Sequence, residues 1–332
     1  MYLVRRALCL ALALSCVLAS RGQMIDLLAY VAEAPLAAVL DASIQPPPRT
    51  IGFDTLVPQD NIRLHCAKPG SKFYEEVFWG EVALNQKINF TRPITIVTHG
   101  WTENTNLTQY NTLSAKYRQY VPDANYCLLD WKPYAAFDYT QAARKGVPLV
   151  AQLLFGFLQN LSVLYFPMDS VTLIGFSMGG QIVGLAGKSM LGRVGTIYAL
   201  DPAGPLFTHP FDVGKSRRLT KTDAKFVQVL ATSRYAIGMG PLVGHQNFLP
   251  NRGYHPQAPC RSLDITLPGI IKSIRCSHEY AVPLFTASLD PATPITGTKC
   301  ITILDSPVCL AGLGARDRLG IYSKRIEGDF LI

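Results

Sequence analysis

From about residue 61 onward, short apolar and β-branched runs alternate with longer segments whose apolar residues recur at helical spacing. The runs fall at residues 62–66, 93–98, 126–130, 171–175, 196–200 and 225–230, with helix-compatible segments near 107–120, 140–160 and 179–191. Strands that are apolar at consecutive positions are covered on both faces. Their alternation with helices predicts an α/β domain with an open, mostly parallel sheet and helices on both sides.

Three apolar segments need separate readings. Arg5 and Arg6 precede an apolar stretch at 7–18 that Ala19 and Ser20 close, the composition of a secretory signal and too short for a membrane span. Residues 1–20 are therefore expected to be a signal peptide, cleaved within 19–23. Residues 24–42 carry apolar residues at helical spacing, and Pro46, Pro47 and Pro48 follow as a stiff spacer. Residues 21–50 read as an N-terminal extension, either a pro-region or an appended helix, and 51–332 as a single domain. Residues 149–166 are apolar almost throughout, but Gln152, Gln159, Asn160 and Ser162 interrupt them and Pro167 ends them, as in a buried helix and its connector.

Composition adds limits. The 332 residues are 48% hydrophobic, enough for a large core. Net charge is +8, or +6 once the two signal arginines leave, without any basic run interleaved with aromatics. No nucleic acid is expected as a partner. The mild basic excess suits either an anionic lipid surface or an ordinary solvated one. Of eight cysteines, Cys9 and Cys16 belong to the signal. Cys66, Cys127, Cys260, Cys276, Cys300 and Cys309 remain, an even set that predicts three disulfides in a secreted, extracellular chain. Asn89, Asn106 and Asn160 head glycosylation sequons.

The chemistry centres on residues 171–184, where an apolar strand runs into Gly175-Phe176-Ser177-Met178-Gly179 and then a helix-compatible segment. This is a nucleophile elbow: the chain turns sharply at Ser177, and glycines on either side let strand and helix approach. Serine is a weak nucleophile without a base and a group that orients the base. Asp201 follows the next strand at once, where the acid belongs in such a sheet, although an aspartate before Pro202 also suits a simple turn cap. The base must come from His65, His99, His209, His245, His255 or His278. The order Ser, Asp, His favours His278, whose loop Cys276 would hold if bridged, with His245 second.

Five segments then carry a resemblance: Val97-Thr98-His99-Gly100-Trp101, the elbow at 175–180, Leu200-Asp201-Pro202-Ala203-Gly204-Pro205, the stretch 244–251 beginning Gly244-His245, and Cys276-Ser277-His278. In this order, over about residues 60–310, the chain resembles the pancreatic-lipase family, and within it the insect secreted branch that includes phospholipases A1. The resemblance implies an α/β-hydrolase fold and a Ser177, Asp201 and His278 triad. It implies an oxyanion hole from the backbone amides of Trp101 and Met178, and structural roles for His99 and His245. It also implies a lid at 261–275 bounded by a Cys260–Cys276 disulfide. The other pairs are expected to be Cys300 with Cys309 and, as the two left over, Cys66 with Cys127.

Leu263, Ile265, Leu267, Ile270, Ile271 and Ile274 would give the lid an apolar side beside Arg261, Lys272 and Arg275. This suits either an amphipathic flap on lipid or a fixed loop packed on the body. The lid and the loop 234–243 are short compared with triacylglycerol lipases of the family, which resembles the phospholipase A1 members. The chain ends before a colipase-binding β-sandwich, so colipase is not an expected partner. Lys215 and Thr220 stand where calcium-binding carboxylates would be expected, with Asp223 alone retained; neither a metal nor a cofactor is expected. Tyr280 stands where a basic residue often follows the histidine.

The expected function is a secreted lipase that cleaves acyl esters of glycerolipids at a lipid–water interface, of phospholipase A1 type and with peripheral membrane contact only. The alternatives are a triacylglycerol lipase and, in another class, a non-enzymatic lipid-binding protein of the yolk-storage kind.

Overall fold

The computed structural model describes residues 37, 38, 40–42, 46, 52–303, 306–308 and 314–332. The signal sequence, most of the extension and Cys309 lie outside the described residues. Strands β1 (Arg63–Ala67), β2 (Glu75–Val77), β3 (Ile94–Thr98), β4 (Asn125–Asp130), β5 (Val171–Phe176) and β6 (Thr196–Leu200) are followed by β7 (Phe226–Leu230), β8 (Gln246–Leu249), β9 (Thr296–Ile303), β10 (Ser306–Val308), β11 (Arg316–Arg318) and β12 (Gly328–Leu331). They form one sheet in the order β10-β9-β12-β8-β7-β6-β5-β3-β4-β1-β2, with β11 beside β9.

The centre is parallel: β4, β3, β5, β6, β7, β8 and β12 run the same way. Antiparallel pairs lie at the two edges: β2 on β1 and β1 on β4 at one, and β10 and β11 on β9 and β9 on β12 at the other. The Cys66–Cys127 disulfide joins directly paired residues of β1 and β4, the expected connection to the N-terminal part of the domain.

Both faces are covered, as expected. Five helices matter: α1 (Thr108–Tyr120), α2 (Val147–Val163), α3 (Met178–Ser189), α4 (Leu267–Glu279) and α5 (Ala281–Ser288). Alternate residues of each central strand feed two cores. Ile94, Ile96, Val171, Leu173, Ile197, Ala199, Val227 and Val229 meet α2 and α3. Val97, Ile174, Phe176, Tyr198, Leu200 and Leu230 meet α1 and α5. The period of two in a strand makes this two-sided layer, and it explains why these strands are apolar at most positions and uncharged throughout.

The apolar run at 149–166 is largely α2, and its Val150, Ala151, Leu154, Leu158 and Leu161 face the core. Asn160 donates to the Glu81 carbonyl at 3.0 Å. The helix is therefore packed on one face, as the sequence led us to expect. A sheet with this parallel centre, helices on both faces and the strand–turn–helix unit at Ser177 is an α/β-hydrolase fold.

Candidate active site

Ser177 sits between β5 and α3 with φ 55° and ψ −122°, a left-handed conformation costly for a residue with a Cβ. Its amide donates to Leu200 O at 3.0 Å, and its carbonyl accepts from Gly180 and Ala203. Glycine is required on both sides. A Cβ on Gly175 would lie 2.2 Å from Gly179 O, and one on Gly179 would lie 2.6 Å from both His99 O and Thr98 O. The end of β3 thus packs on the first turn of α3.

Asp201 follows β6 with φ 39° and is fully buried. Its Oδ1 accepts the Thr232 amide at 2.7 Å and the Ser233 amide at 3.1 Å, and its Oδ2 accepts the Ser233 hydroxyl. His278 Nδ1 lies 2.6 Å from the same Oδ2. That bond leaves Nε2 as the free ring nitrogen, and Phe176 packs on the imidazole with ring centroids 4.7 Å apart. Ser177 and His278 line one cavity together with Trp101, Thr102, Glu103, Phe176 and Ile237. Two partners were not foreseen from sequence. Ser233 gave no signal, since it merely follows the adjacent strand, and neither did Glu103, although both are built into the site.

His278 corrects one expectation. It lies in the last turn of α4 and not in a loop, and α4 starts at Leu267 inside the expected lid. Thr266 caps that helix by accepting the Gly269 amide at 3.3 Å, and Pro268 sits in its first turn, where a missing amide hydrogen does no harm. The Cys260–Cys276 disulfide closes the segment as the resemblance implied. Leu263 is 99%, Ile265 86% and Leu267 71% exposed, while Ile274 packs on the core. Arg275 is paired with Glu279 at 2.7 Å, while Arg261 and Lys272 are exposed and make no ion pair among the described residues.

The other histidines are held elsewhere. His245 Nδ1 accepts the Val227 amide at 3.0 Å, and burial lowers its pKa. His209 Nε2 lies 3.0 Å from Ala236 O. His99 is buried, stacks on Trp131 and accepts the Trp131 amide at Nε2, 3.0 Å away. Its proton is therefore on Nδ1, which meets Gly100 O at 2.8 Å.

The backbone amides of Trp101 and Met178 lack a hydrogen-bond acceptor among the described residues. Met178 is the first residue of α3, so its amide has no intrahelical acceptor. The Trp101 amide makes no hydrogen bond among the described residues, whereas the Trp101 indole donates to Phe137 O at 2.8 Å. At the position compared with a calcium site, the cation beside Asp223 is an ammonium: Lys188 Nζ is 2.5 Å from Asp223 Oδ1. Thr220 completes the contact with its amide and hydroxyl, each 2.8 Å from the carboxylate, and burial still lifts the Asp223 pKa against these partners. Lys215 lies in the separate turn Lys215–Arg217.

The cavity itself is about 40 Å³, room for a few waters and not for an acyl chain. Leu40, from the stretch before the domain, forms part of its wall, and Asp41 accepts the Tyr139 amide at 2.8 Å.

Over 220 residues the chain is 31% identical to Lipase member H of Mus musculus, a match covering 66% of this chain and 47% of the mouse protein. It is 32% identical over 230 residues to Hepatic triacylglycerol lipase of Oryctolagus cuniculus, covering 64% of this chain and 45% of that protein. The chain thus spans about half the length of the curated relatives it matches. Among solved structures it is similar to an α/β hydrolase from a deep-sea metagenome library, with 15% identity and a TM-score of 0.32 over 55% of this chain and 66% of that one. Residues 75–329 match the profile of the Lipase family, so the chain belongs to that family.

Proposed function

We propose that this protein is a secreted carboxylic ester hydrolase of glycerolipids, using Ser177 as nucleophile, His278 as base and Asp201 as the group that orients the base, with phospholipid as its preferred substrate. The observation that carries the reading is the 2.6 Å contact of His278 Nδ1 with the buried Asp201 carboxylate, in a cavity that also holds the strained Ser177. With Nδ1 tied to Asp201, His278 offers Nε2 to the Ser177 hydroxyl. It takes that proton as Ser177 attacks the ester carbonyl, then gives it to the leaving alcohol. Asp201 stabilises the imidazolium without itself being protonated. The Trp101 and Met178 amides receive the oxyanion of each tetrahedral intermediate, and loss of one such donor typically costs about 100- to 1000-fold in rate. Water then releases the fatty acid with His278 as base again.

Exposed Arg261 and Lys272 beside the lid's aliphatic side chains support the phospholipid preference, because cations next to an apolar face suit an interface carrying phosphate. Cleavage is expected at the sn-1 ester. The disulfides Cys66–Cys127 and Cys260–Cys276 support secretion. A second reading, triacylglycerol lipase, draws on the printed name of the hepatic relative and on the exposure of Leu263, Ile265 and Leu267. The storage-protein reading is disfavoured by the ordered Asp201–His278 contact, which lipid binding alone does not require.

Fluorophosphonate labelling of wild type and Ser177→Ala tests the chemistry; labelling that persists in Ser177→Ala would sink it. Fatty-acid release from phosphatidylcholine and triolein at equal interfacial area then tests the preference. A triolein rate more than about tenfold higher would select the second reading.

A further inference from the structure

We propose that Glu103 is a positioning residue for the loop that receives the oxyanion, acting as a carboxylate clamp on the Gly100 amide. The inference rests on the ester-hydrolase reading and concerns a residue outside the triad. Two peptide units link His99, Gly100 and Trp101, and each of their four polar groups has a distinct fate. The His99 carbonyl accepts the Trp131 indole N–H at 2.9 Å. The Gly100 N–H donates to Glu103 Oε2 at 2.8 Å. The Gly100 carbonyl accepts from His99 Nδ1 at 2.8 Å. Only the Trp101 N–H is left, and in a trans peptide it points opposite to the Gly100 carbonyl. Fixing the first three groups aims the fourth.

Glu103 is held as firmly as the loop it holds. Tyr110 donates its hydroxyl to Oε2 at 2.6 Å, and Gln109 donates its amide to Oε1 at 2.7 Å, both from the first turn of α1. The carboxylate therefore ties the end of β3 to a helix on the sheet's second face. No alternative residue fits at Gly100, because a Cβ there would come 2.9 Å from Ser177 Cβ and 3.1 Å from Glu103 Oε2. The same contact places the carboxylate next to the nucleophile, where Glu103 lines the cavity.

A clamp built for stability alone would not choose an ion here. Burial raises the Glu103 pKa, and its bonds from Tyr110 and Gly100 only partly offset that. A carboxyl with a raised folded pKa supports the fold below its unfolded pKa and loses that support as pH rises through the folded value. Three N–H and O–H donors converge on this carboxyl group, an arrangement that suits its ionised form, so above the folded pKa the clamp is held at a cost to the fold, beside the loop that must be aimed at Ser177. The titratable and charged groups around it are His99, His278, Tyr110, Arg275 and Glu279.

The test compares wild type, Glu103→Gln, Glu103→Ala and Tyr110→Phe on a soluble short-chain p-nitrophenyl ester, with thermal melts and inhibition by a trifluoromethyl ketone that mimics the tetrahedral intermediate. Glu103→Ala should lower kcat by about 10- to 100-fold with KM within about twofold, and weaken the ketone by a similar factor. Glu103→Gln, which keeps an acceptor for Gly100, should recover most of kcat while melting no lower than wild type. Tyr110→Phe should fall between them. Wild-type kcat and ketone affinity in folded Glu103→Ala would overturn the clamp alone. A rise in KM without a change in kcat would also overturn it. Should Glu103→Ala not fold, the Gln and Phe variants decide, and a Gln variant as impaired as a serine variant would overturn the clamp. A wild type that neither labels at Ser177 nor turns over the ester overturns the underlying reading together with it.

Discussion

The Gly238 backbone lies against the Asp201 carboxylate so closely that a Cβ on Gly238 would fall 2.5 Å from Asp201 Oδ1. Gly238 also donates its amide to Ser233 Oγ at 3.0 Å, and that hydroxyl donates in turn to Asp201. A glycine in the loop after β7 thus sets the space in which the acid can sit. Gly238→Ala should push Asp201 away from His278 and lower kcat on the order of 10- to 100-fold, since small misplacements of catalytic groups are costly. Steady-state kinetics on a soluble ester measure this, and an unchanged kcat in a folded variant would show that Asp201 has slack.

Leu40 supplies the next expectation. It stands in the wall of a cavity of about 40 Å³ that no acyl chain fits. Leu40→Ala should enlarge that space and shift the preferred acyl length upward across a series of p-nitrophenyl esters. An unaltered length profile would place the acyl path elsewhere.

The three sequons differ in surroundings. Asn106 is exposed, just before α1. Asn160 lies within α2 and its side-chain nitrogen donates to Glu81 O, so a sugar there would have to displace the Glu81 backbone. Mass spectrometry after glycosidase release, on protein secreted from eukaryotic cells, should find Asn106 occupied well above Asn160. Equal occupancy would count against the packing of α2 on that segment.

Asp317 should make stability acid-sensitive. Burial alone would raise its pKa, but amides of Lys324, Ile326 and Arg318 and the Gln246 side chain outweigh burial and hold it below the ordinary range. A carboxyl with a lowered folded pKa stabilises the fold fully above its unfolded pKa, about 4, and that support disappears as pH falls through the folded value. Asp317→Ala should destabilise the protein by about 1–3 kcal/mol at pH 7 through the orphaned donors. The gap in melting temperature between wild type and variant should narrow at pH 3. A gap that is the same at both pH values would mean the carboxylate charge contributes nothing.

What could be read from sequence follows the burial of each element. The central strands β3, β5, β6 and β7 are buried at nearly every position, so they appear as β-branched and apolar runs with few polar interruptions and were placed to within a residue or two. The strand β8 begins Gln246-Asn247 and did not stand out, because its polar side chains are satisfied only in three dimensions, by Gln228, Asp317 and Asp329. Helix α4 was hidden by Pro268 and Gly269 in its first turn, residues that usually signal a loop. Ser177 and Asp201 stood out by position after a strand, whereas order along the chain only put His278 ahead of His245 and the family resemblance chose between them. Ser233 and Glu103 could not stand out, since their only qualification is where a neighbouring loop happens to place a hydroxyl or a carboxylate.

One helix carries both the exposed Leu267 and the buried His278. The helix α4 has 13 residues, about 20 Å at the usual rise. His278 is tethered at one end by Asp201, and the Cys260–Cys276 bond fastens the chain two residues before it. The helix is therefore a lever with its fulcrum beside the imidazole. A tilt of about 10° about that end would carry Leu267 roughly 3 Å while the histidine ring hardly moves. Displacement of the exposed first turn and the position of the imidazole are thus separable within one rigid helix, because the first belongs to the long arm and the second to the pivot.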